Sequence, residues 1–199
     1  TTDGGETWSL QNSGLSLTVG KFMSSFFTDQ NKGWATVGTN ELSSGLLRTT
    51  DGGHNWALDN TISGTRPKSV FFINDQIGWA AGYKIIKTTN GGDSWTEQFS
   101  SNIYSIKFVN NEVGWATGKN GIIVHTTDGG LNWSSQGGLT DNHLFSVACK
   151  DTNFAWTVGQ FNTILKTTNS GVTFIEEENN LTHPKDFLLQ QNFPNPFNP

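Results

Sequence analysis

The chain has 199 residues, of which 34% are apolar, only 15% are charged and 23 are glycine, and its formal net charge is −5. This composition is typical of short strands joined by many turns. Without a basic stripe, and without an apolar run near the roughly 20 residues that span a bilayer, we expect neither nucleic-acid binding nor membrane insertion. The single cysteine, Cys149, excludes an intramolecular disulfide and a cysteine-based metal cluster.

One eight-residue phrase occurs five times along the chain and ends each time in an aromatic residue. The copies begin at Thr1, Thr49, Thr88, Thr126 and Thr167, and the intervals between them are 48, 39, 38 and 41 residues. Self-similarity at this period indicates units of about four strands, as in the blades of a β-propeller. The period therefore predicts the fold class.

The predicted units follow one another in chain order. Residues 1–12 match the outer hairpin of a preceding blade, and four complete units cover residues 21–60, 68–99, 103–138 and 143–178. Within a unit, a first apolar strand precedes a Gly-Trp-Ala strand, a third strand leads into the repeated phrase, and a fourth follows it. We predict an all-β chain with four complete four-stranded blades plus part of a preceding one, arranged as an incomplete open arc.

Tryptophan is the main candidate for the core. The chain has 8 tryptophans, and each ring can bury roughly 150–250 Å². A four-stranded meander cannot bury both of its faces alone, so the blades must stack on each other. The second strands carry the rings that we predict to lie between blades: Trp34, Trp79, Trp115 and Trp156.

The third position of the repeated phrase is acidic or amidic. It is occupied by Asp3, Asp51, Asn90, Asp128 and Asn169, and the aromatic position by Trp8, Trp56, Trp95, Trp133 and Phe174. Asparagine keeps the oxygen acceptor of aspartate but lacks its charge, so the shared role is hydrogen bonding across a turn. The phrase predicts a structural staple, and we expect no metal ion and no other cofactor there.

At these positions the chain resembles the Asp-box, or BNR, repeats, and its Gly-Trp-Ala-x-Gly phrase makes it most similar to photosystem II stability and assembly factor-like propellers. The resemblance covers residues 1–178 and implies a β-propeller. It implies no single function, because Asp-box propellers include sialidases, other glycosidases, sorting receptors and assembly factors.

The repeat stops at residue 178. Residues 179–186 read as a linker, and residues 187–199 end in an Asn-Phe-Pro-Asn-Pro-Phe-Asn-Pro phrase. This phrase resembles the start of the type A C-terminal sorting domain of the type IX secretion system. The resemblance implies a truncated sorting domain, the type IX secretion machinery as a partner, and an extracellular or cell-surface location. Because Thr1 opens a repeat, we also expect the parent protein to begin further upstream.

A ligand site is expected on the loops that differ between the units, since binding residues concentrate on variable loops of a regular scaffold. The loops after the second strand and before the first strand share one face of a propeller. Their candidate binding residues are Glu41, Arg66, Lys68, Tyr83, Lys119, His143 and Phe161.

The sequence shows no complete catalytic set. A sialidase grips its substrate carboxylate with three arginines, whereas this chain has only Arg48 and Arg66, and Arg48 occupies a repeat position. Four carboxylates in or near loops leave a glycosidase open, but nothing fixes a pair of them: Glu41, Asp59, Glu97 and Asp141. The four histidines lack metal-ligand spacing: His54, His125, His143 and His183.

Three hypotheses follow. The favoured one is a secreted or cell-surface, non-catalytic propeller that binds a protein or a glycan or serves as a scaffold. The alternative is a fragment of a secreted Asp-box glycoside hydrolase. The third is an assembly factor for a membrane complex, which the sorting phrase disfavours because export separates a protein from partners in the inner membrane.

Overall fold

The computed structural model describes residues 4–11, 21–38, 44–59, 61–62 and 64–170. Apart from a single-turn 3₁₀ helix at Lys119–Gly121, their regular structure is entirely β. No helix within these residues is long and apolar enough to cross a membrane.

The strands form four antiparallel sheets, and in each sheet the hydrogen-bonded neighbours are consecutive in sequence. The first sheet contains β1 (Lys21–Phe27), β2 (Gly33–Gly38), β3 (Ser44–Thr49) and β4 (Ala57–Asp59). The second contains β5 (Ser69–Phe72), β6 (Gly78–Ala81), β7 (Lys84–Thr88) and β8 (Thr96–Ser100). The third contains β9 (Ile103–Phe108), β10 (Gly114–Gly118), β11 (Ile123–Thr126) and β12 (Ser134–Ser135). The fourth contains β13 (Leu144–Cys149), β14 (Ala155–Gly159) and β15 (Ile164–Thr167).

This architecture confirms the predicted open arc of propeller blades, and we call the sheets blades 1 to 4. Blade 4 has three strands in the described part of the chain. Its predicted fourth strand, Phe174 and the tail of residues 179–199 lie outside the described residues. Residues 4–11, predicted as part of an outer hairpin, contain a turn but no strand.

The innermost strand of each blade packs on that of the next, so β1 contacts β5, β5 contacts β9, and β9 contacts β13. A serine hydroxyl on each of the first three innermost strands accepts a hydrogen bond from a backbone amide of the following blade. The bonds run from the amides of Val70, Ile106 and Val147 to Ser24, Ser69 and Ser105, at 3.4, 3.3 and 3.1 Å. These bonds fix the offset between successive blades.

An aromatic stack fills each of the first two blade interfaces. Trp34 of blade 1 stacks on Phe72 of blade 2 with ring centroids 3.7 Å apart, and Trp79 of blade 2 stacks on Phe108 of blade 3 at 3.6 Å. Each phenylalanine lies over the glycine opposite it in the sheet. A Cβ on Gly114 would lie 2.6 Å from the Phe108 ring, which explains the glycine before the tryptophan.

The prediction that four tryptophans lie buried between blades is correct for three of them. Trp34, Trp79 and Trp115 are at most 1% exposed, whereas Trp156 is only half-buried. Trp156 occupies the equivalent position on the last described blade, opposite Lys166 as Trp79 is opposite Lys87. No further blade in the described part of the chain covers it.

In the repeated phrases that begin at Thr49, Thr88 and Thr126, the acidic or amidic side chain closes the turn through hydrogen bonds. Asp51 Oδ1 accepts from the Thr49 hydroxyl at 2.9 Å and from the Asn55 amide N–H at 2.9 Å. Asn90 Oδ1 makes the same two bonds, with Thr88 at 2.9 Å and the Ser94 N–H at 3.0 Å. The carbonyl oxygen of an amide therefore performs the role of the carboxylate.

Basic side chains before the phrase join neighbouring blades. Arg48 Nη1 lies 2.6 Å from Asp93 Oδ1 in the turn of blade 2, and Lys87 Nζ donates to the Gly129 carbonyl of blade 3 at 2.9 Å. Trp79 Nε1 donates to the same carbonyl at 3.2 Å. Arg48 is thus engaged at a blade interface.

Acid is expected to weaken the turns that contain aspartate. The backbone N–H and then the side-chain amide of Asn55 lower the pKa of Asp51 to about 2, and Asn132 does the same for Asp128. Because these pKa values lie below the usual aspartate value of 3.8, the stabilisation is complete above that pH and is lost as the pH falls toward about 2. Urea denaturation between pH 5 and pH 2 should show this loss.

The control for this prediction is the double variant Asp51→Asn, Asp128→Asn. It retains an oxygen acceptor at both turns, as Asn90 does, but has no proton to gain there. Its stability should therefore fall less steeply between pH 4 and pH 2 than that of the wild type. Identical acid dependence in the two proteins would contradict the assignment.

Candidate functional site

The strand ends at one edge of the blades bring most of the sequence-predicted binding residues to the same face. In an antiparallel meander, the start of the first strand, the end of the second and the start of the third lie together. Lys68 precedes β5, Tyr83 joins β6 to β7, Lys119 follows β10, and His143 precedes β13. These four residues therefore share the face where the sequence places the variable loops.

The backbone of this face is held by a close approach that repeats in blades 2 to 4. Tyr83 N–H donates to the Thr65 carbonyl at 2.7 Å, in the connection that leads into the same blade. Gly82 lies directly beneath that connection, and a Cβ on Gly82 would overlap the carbonyl oxygen of Arg66. Gly118 and Gly159 occupy the equivalent positions in blades 3 and 4. Only glycine permits this contact.

Four side chains form a continuous set of ring and cation contacts, which we call the cationic–aromatic cluster: Arg66, Lys68, Tyr83 and Tyr104. The Arg66 guanidinium carbon lies 4.9 Å from the Tyr83 ring centroid, and Nη1 lies 3.4 Å from the Tyr83 hydroxyl. Lys68 Nζ lies 4.2 Å from the Tyr104 centroid and 5.7 Å from the Tyr83 centroid. The ammonium of Lys68 therefore joins the two tyrosines.

The cluster is positively charged although the chain is acidic. Lys68 Nζ donates to Asn102 Oδ1 at 2.7 Å, and burial followed by repulsion from Lys119 lowers the pKa of Lys68. Salt bridges in the described part of the chain pair Lys32, Arg48 and Lys84 with carboxylates, and none of them includes Arg66, Lys68 or Lys119. An anionic group on a ligand would supply the missing negative charge.

Blade 4 extends the cluster along the same face. The rings of His143 and Phe145 each lie 5.9 Å from the Tyr104 ring, and Phe145 is about half exposed. Asn120 N–H donates to His143 Nδ1 at 3.2 Å, so the proton of the neutral imidazole is on Nε2. The result is an aromatic surface next to the positive charges.

One predicted candidate that the structure describes, Phe161, is not brought into this arrangement. Phe161 is 84% exposed, and no ring contact joins it to the cluster in the part of the chain that the structure describes. Its backbone angle φ of 52° lies in the left-handed region. Glu41 lies outside the described residues.

Sequence reasoning missed Tyr104 and Phe145, which occupy one repeat position. Each directly precedes the serine of the innermost strand, as Met23 and Lys68 do in blades 1 and 2. The pairing register skips Met23, Tyr104 and Phe145, so each is the extra residue of a β-bulge, which re-aims its side chain. Alignment of the units on this serine would have identified the position.

Two of the four loop carboxylates considered for a glycosidase have structural partners. Asp59 Oδ2 accepts from Trp95 Nε1 at 3.0 Å, and Glu97 Oε2 lies 2.6 Å from Lys84 Nζ. Asp141 is exposed. Within the described residues, no group of three or more histidine, cysteine, aspartate or glutamate side chains is arranged to hold a metal ion.

The model of the family described as photosynthesis system II assembly factor YCF48 matches residues 58–138. No curated protein matches the chain. The matched stretch comprises blades 2 and 3 and the end of blade 1, and it contains all four residues of the cationic–aromatic cluster.

Solved structures share the fold at low sequence identity. A structure of YCF48 bound to a D1 peptide is 20% identical with a TM-score of 0.52, covering 79% of this chain and 68% of that one. YCF48 from Cyanidioschyzon merolae is 18% identical with a TM-score of 0.55, covering 75% and 56%. The GH74 xyloglucanase from Xanthomonas campestris is 17% identical with a TM-score of 0.57, covering 70% and 26%. The chain therefore spans about a quarter of that xyloglucanase. It has the fold of an open β-propeller arc, and it resembles YCF48.

Proposed function

We propose that this chain is a non-catalytic binding module and that the cationic–aromatic cluster binds an extended segment of another protein. The observation that carries the proposal is the placement of Lys68 between Tyr83 and Tyr104, with no salt bridge to a described carboxylate. Aromatic faces and unneutralised cations together suit a peptide that presents a carboxylate beside an apolar or aromatic side chain.

A protein segment is favoured over a glycan for two reasons. The cluster contains two cationic side chains, and a neutral sugar would leave both of them without a counter-charge. The structurally similar YCF48 was solved bound to a D1 peptide, which supports peptide binding on a propeller of this kind.

A display library of random peptides, panned against the immobilised chain, tests the proposal. We expect enriched peptides to share an acidic group next to an aromatic or branched apolar residue. For such a peptide, the double variant Lys68→Ala, Tyr104→Ala should weaken binding by about 10-fold or more, because a charge-assisted hydrogen bond contributes about 1.5–3 kcal/mol.

The matched control is Lys150→Ala, which removes an exposed lysine from the turn after β13, at the opposite ends of the strands. It should leave peptide affinity unchanged. Equal loss in the control, or peptides that bind the double variant as well as the wild type, would show that the cluster is not the site. If the chain binds neutral oligosaccharides on a glycan array and does not bind peptides, the ligand is a glycan and the proposal of a protein ligand is wrong.

The alternative is that the chain is a fragment of a secreted glycoside hydrolase. The structural similarity to a GH74 xyloglucanase supports this alternative. Release of reducing ends from xyloglucan, abolished by Asp141→Asn or Glu41→Gln, would establish it. The engagement of Asp59 by Trp95 and of Glu97 by Lys84 argues against those two carboxylates as catalytic groups.

We further propose that the parent protein is exported by the type IX secretion system to the cell surface or the medium. The support is the Asn-Phe-Pro-Asn-Pro-Phe-Asn-Pro phrase at residues 192–199. Immunoblots of cell, envelope and medium fractions should find the protein outside the cell. In cells that lack a functional type IX translocon, it should accumulate in the periplasm, and unchanged export there would refute the proposal.

A further inference from the structure

One position of the innermost strand recurs in every blade near the start of that strand, at the edge that carries the cationic–aromatic cluster. It directly precedes a serine that is the same in all four blades, and its occupants are Met23, Lys68, Tyr104 and Phe145. In blades 1, 3 and 4 the occupant is the extra residue of a β-bulge, and in blade 2 it stands directly before β5. A bulge re-aims its side chain out of the ladder. We call these four residues the bulge row.

The residues of the bulge row differ, although the serines beside them do not. Ser24, Ser69 and Ser105 accept hydrogen bonds from the following blade, so the serine position has a structural role. The row holds a thioether, an ammonium, a phenol and a phenyl ring in turn, and no single contact can be made by all four. Met23 and Phe145 are each about half exposed. A variable position beside a constant structural one is where a regular scaffold carries binding residues.

The serine bonds give successive members of the row the same relative placement. Each serine accepts from the amide two residues after the next member of the row, as Ser24 accepts from Val70, two residues after Lys68. The relation repeats from blade 2 to blade 3 and from blade 3 to blade 4. In blade 1, Met23 Sδ would lie 3.3 Å from a Cβ on Gly38, at the end of β2. The row therefore crosses all four blades along one edge.

The spacing of the row suits an extended peptide. Lys68 Nζ lies 4.2 Å from the Tyr104 ring centroid, and the Tyr104 and Phe145 rings lie 5.9 Å apart with 27° between their planes. The midpoint of these two rings is thus at most about 7 Å from Lys68 Nζ, and alternate side chains of an extended chain lie roughly 6.4–6.8 Å apart. One extended chain can therefore place a carboxylate on Lys68 and, two residues away, an apolar side chain on the ring pair.

We propose that the bulge row selects peptides in which an acidic residue has an apolar or aromatic residue two positions away on each side. The acidic side chain pairs with Lys68. One apolar side chain packs on the rings of Tyr104 and Phe145, and the other packs on Met23. This inference rests on the proposed function, peptide binding at the cationic–aromatic cluster, and adds the sequence pattern that the site reads. It makes Met23 and Phe145, which lie outside that cluster, specificity-determining residues.

Two peptides of identical composition test the spacing. In the spaced peptide, acetyl-Gly-Phe-Ser-Glu-Ser-Phe-Gly-amide, both phenylalanines stand two residues from the glutamate. In the adjacent peptide, acetyl-Gly-Ser-Phe-Glu-Phe-Ser-Gly-amide, they stand next to it. In NMR titrations of the purified chain, the spaced peptide should bind about 2- to 10-fold more tightly, the range for one aromatic contact. Equal affinities, or no binding of the spaced peptide, would overturn the inference.

A third peptide, the spaced one with glutamine in place of glutamate, separates failure of this inference from failure of the proposed function. If both glutamate peptides bind equally and the glutamine peptide binds more weakly, the cluster still recognises an acidic group and only the spacing is wrong. If the glutamine peptide binds as tightly as the spaced peptide, Lys68 does not recognise an acidic group and both proposals are wrong.

The variants Phe145→Ser and Met23→Ser test the two apolar contacts. Each replaces a half-exposed side chain, and each should weaken binding of the spaced peptide by about 2- to 10-fold. When one phenylalanine of the peptide is replaced by serine, Phe145→Ser should weaken binding of one of the two resulting peptides and Met23→Ser binding of the other. This result would also give the direction of the peptide along the row.

The matched control is Leu131→Ser, which removes a 72% exposed apolar side chain from the turn before β12, at the opposite ends of the strands. It should leave all these affinities unchanged. If Phe145→Ser and Met23→Ser weaken binding of the same singly substituted peptide, or if neither weakens binding more than Leu131→Ser does, the bulge row does not read the flanking residues and the inference is wrong.

Discussion

Replacement of Trp79 by alanine is expected to lower the free energy of unfolding by about 3–5 kcal/mol. The side chain is completely buried, it stacks on Phe108 across the interface at 3.6 Å, and its Nε1 donates to the Gly129 carbonyl of blade 3. Its loss removes the ring contact and leaves that carbonyl with the Lys87 ammonium alone. Because blades 2 and 3 contact through this stack, the variant should also unfold less cooperatively.

Thermal and urea denaturation measure this effect, and a loss of this size should lower Tm by roughly 6–20 °C in a chain of this length. Trp156→Ala is the matched control, because the same residue type occupies the same repeat position but is only half-buried. Its cost should be about 1 kcal/mol. Equal losses in the two variants would mean that Trp156 is covered as fully as Trp79.

The units and their strands were predictable from the sequence because each blade of a propeller requires the same structural residues, which therefore recur once per repeat. The interval of 38–41 residues gave the blades, and the glycine before each buried tryptophan follows from the ring that lies over it. The partial exposure of the Trp156 side chain was not predictable in the same way. Its burial depends on a neighbouring blade, which the local pattern of one unit cannot reveal.

The site was only partly predictable. Variable loops directed attention to Arg66, Lys68 and Tyr83, since a loop that differs between repeats is free of the shared structural role. Tyr104 was overlooked because it lies inside a strand that otherwise forms the core. A one-residue bulge turns it out of the ladder, and a bulge leaves no clear mark in composition or periodicity.

Side-chain contacts between neighbouring blades were the feature least predictable from the sequence. Arg48 pairs with Asp93 and Lys87 with the Gly129 carbonyl, two different solutions at the same repeat position. At blade 3 the position holds His125, which stacks on Trp115 instead. A basic residue recurs at this position. Its partner depends on the relative placement of the two adjacent blades, which is determined by packing across the whole interface.

Gly82→Ala should destabilise the chain and disorganise the cationic–aromatic cluster together. The new methyl group would overlap the carbonyl oxygens of Thr65 and Arg66, both backbone atoms that cannot rotate away. Relief requires the connection before β5 to move, and that connection carries Arg66 and Lys68. Overpacking of this kind costs about 1–3 kcal/mol.

Hydrogen exchange gives a local readout of the same event. The Tyr83 amide donates to the Thr65 carbonyl at 2.7 Å, and the Lys68 amide donates to the Ala81 carbonyl at 2.7 Å. Both amides should exchange faster in Gly82→Ala, and affinity for the peptides selected on the wild type should fall with them. Gly137→Ala is the control, since its nearest neighbour would lie 3.5 Å away, an ordinary contact. Normal protection of both amides in Gly82→Ala would mean that the connection does not depend on this glycine, and the cluster would then owe its geometry to side-chain contacts alone.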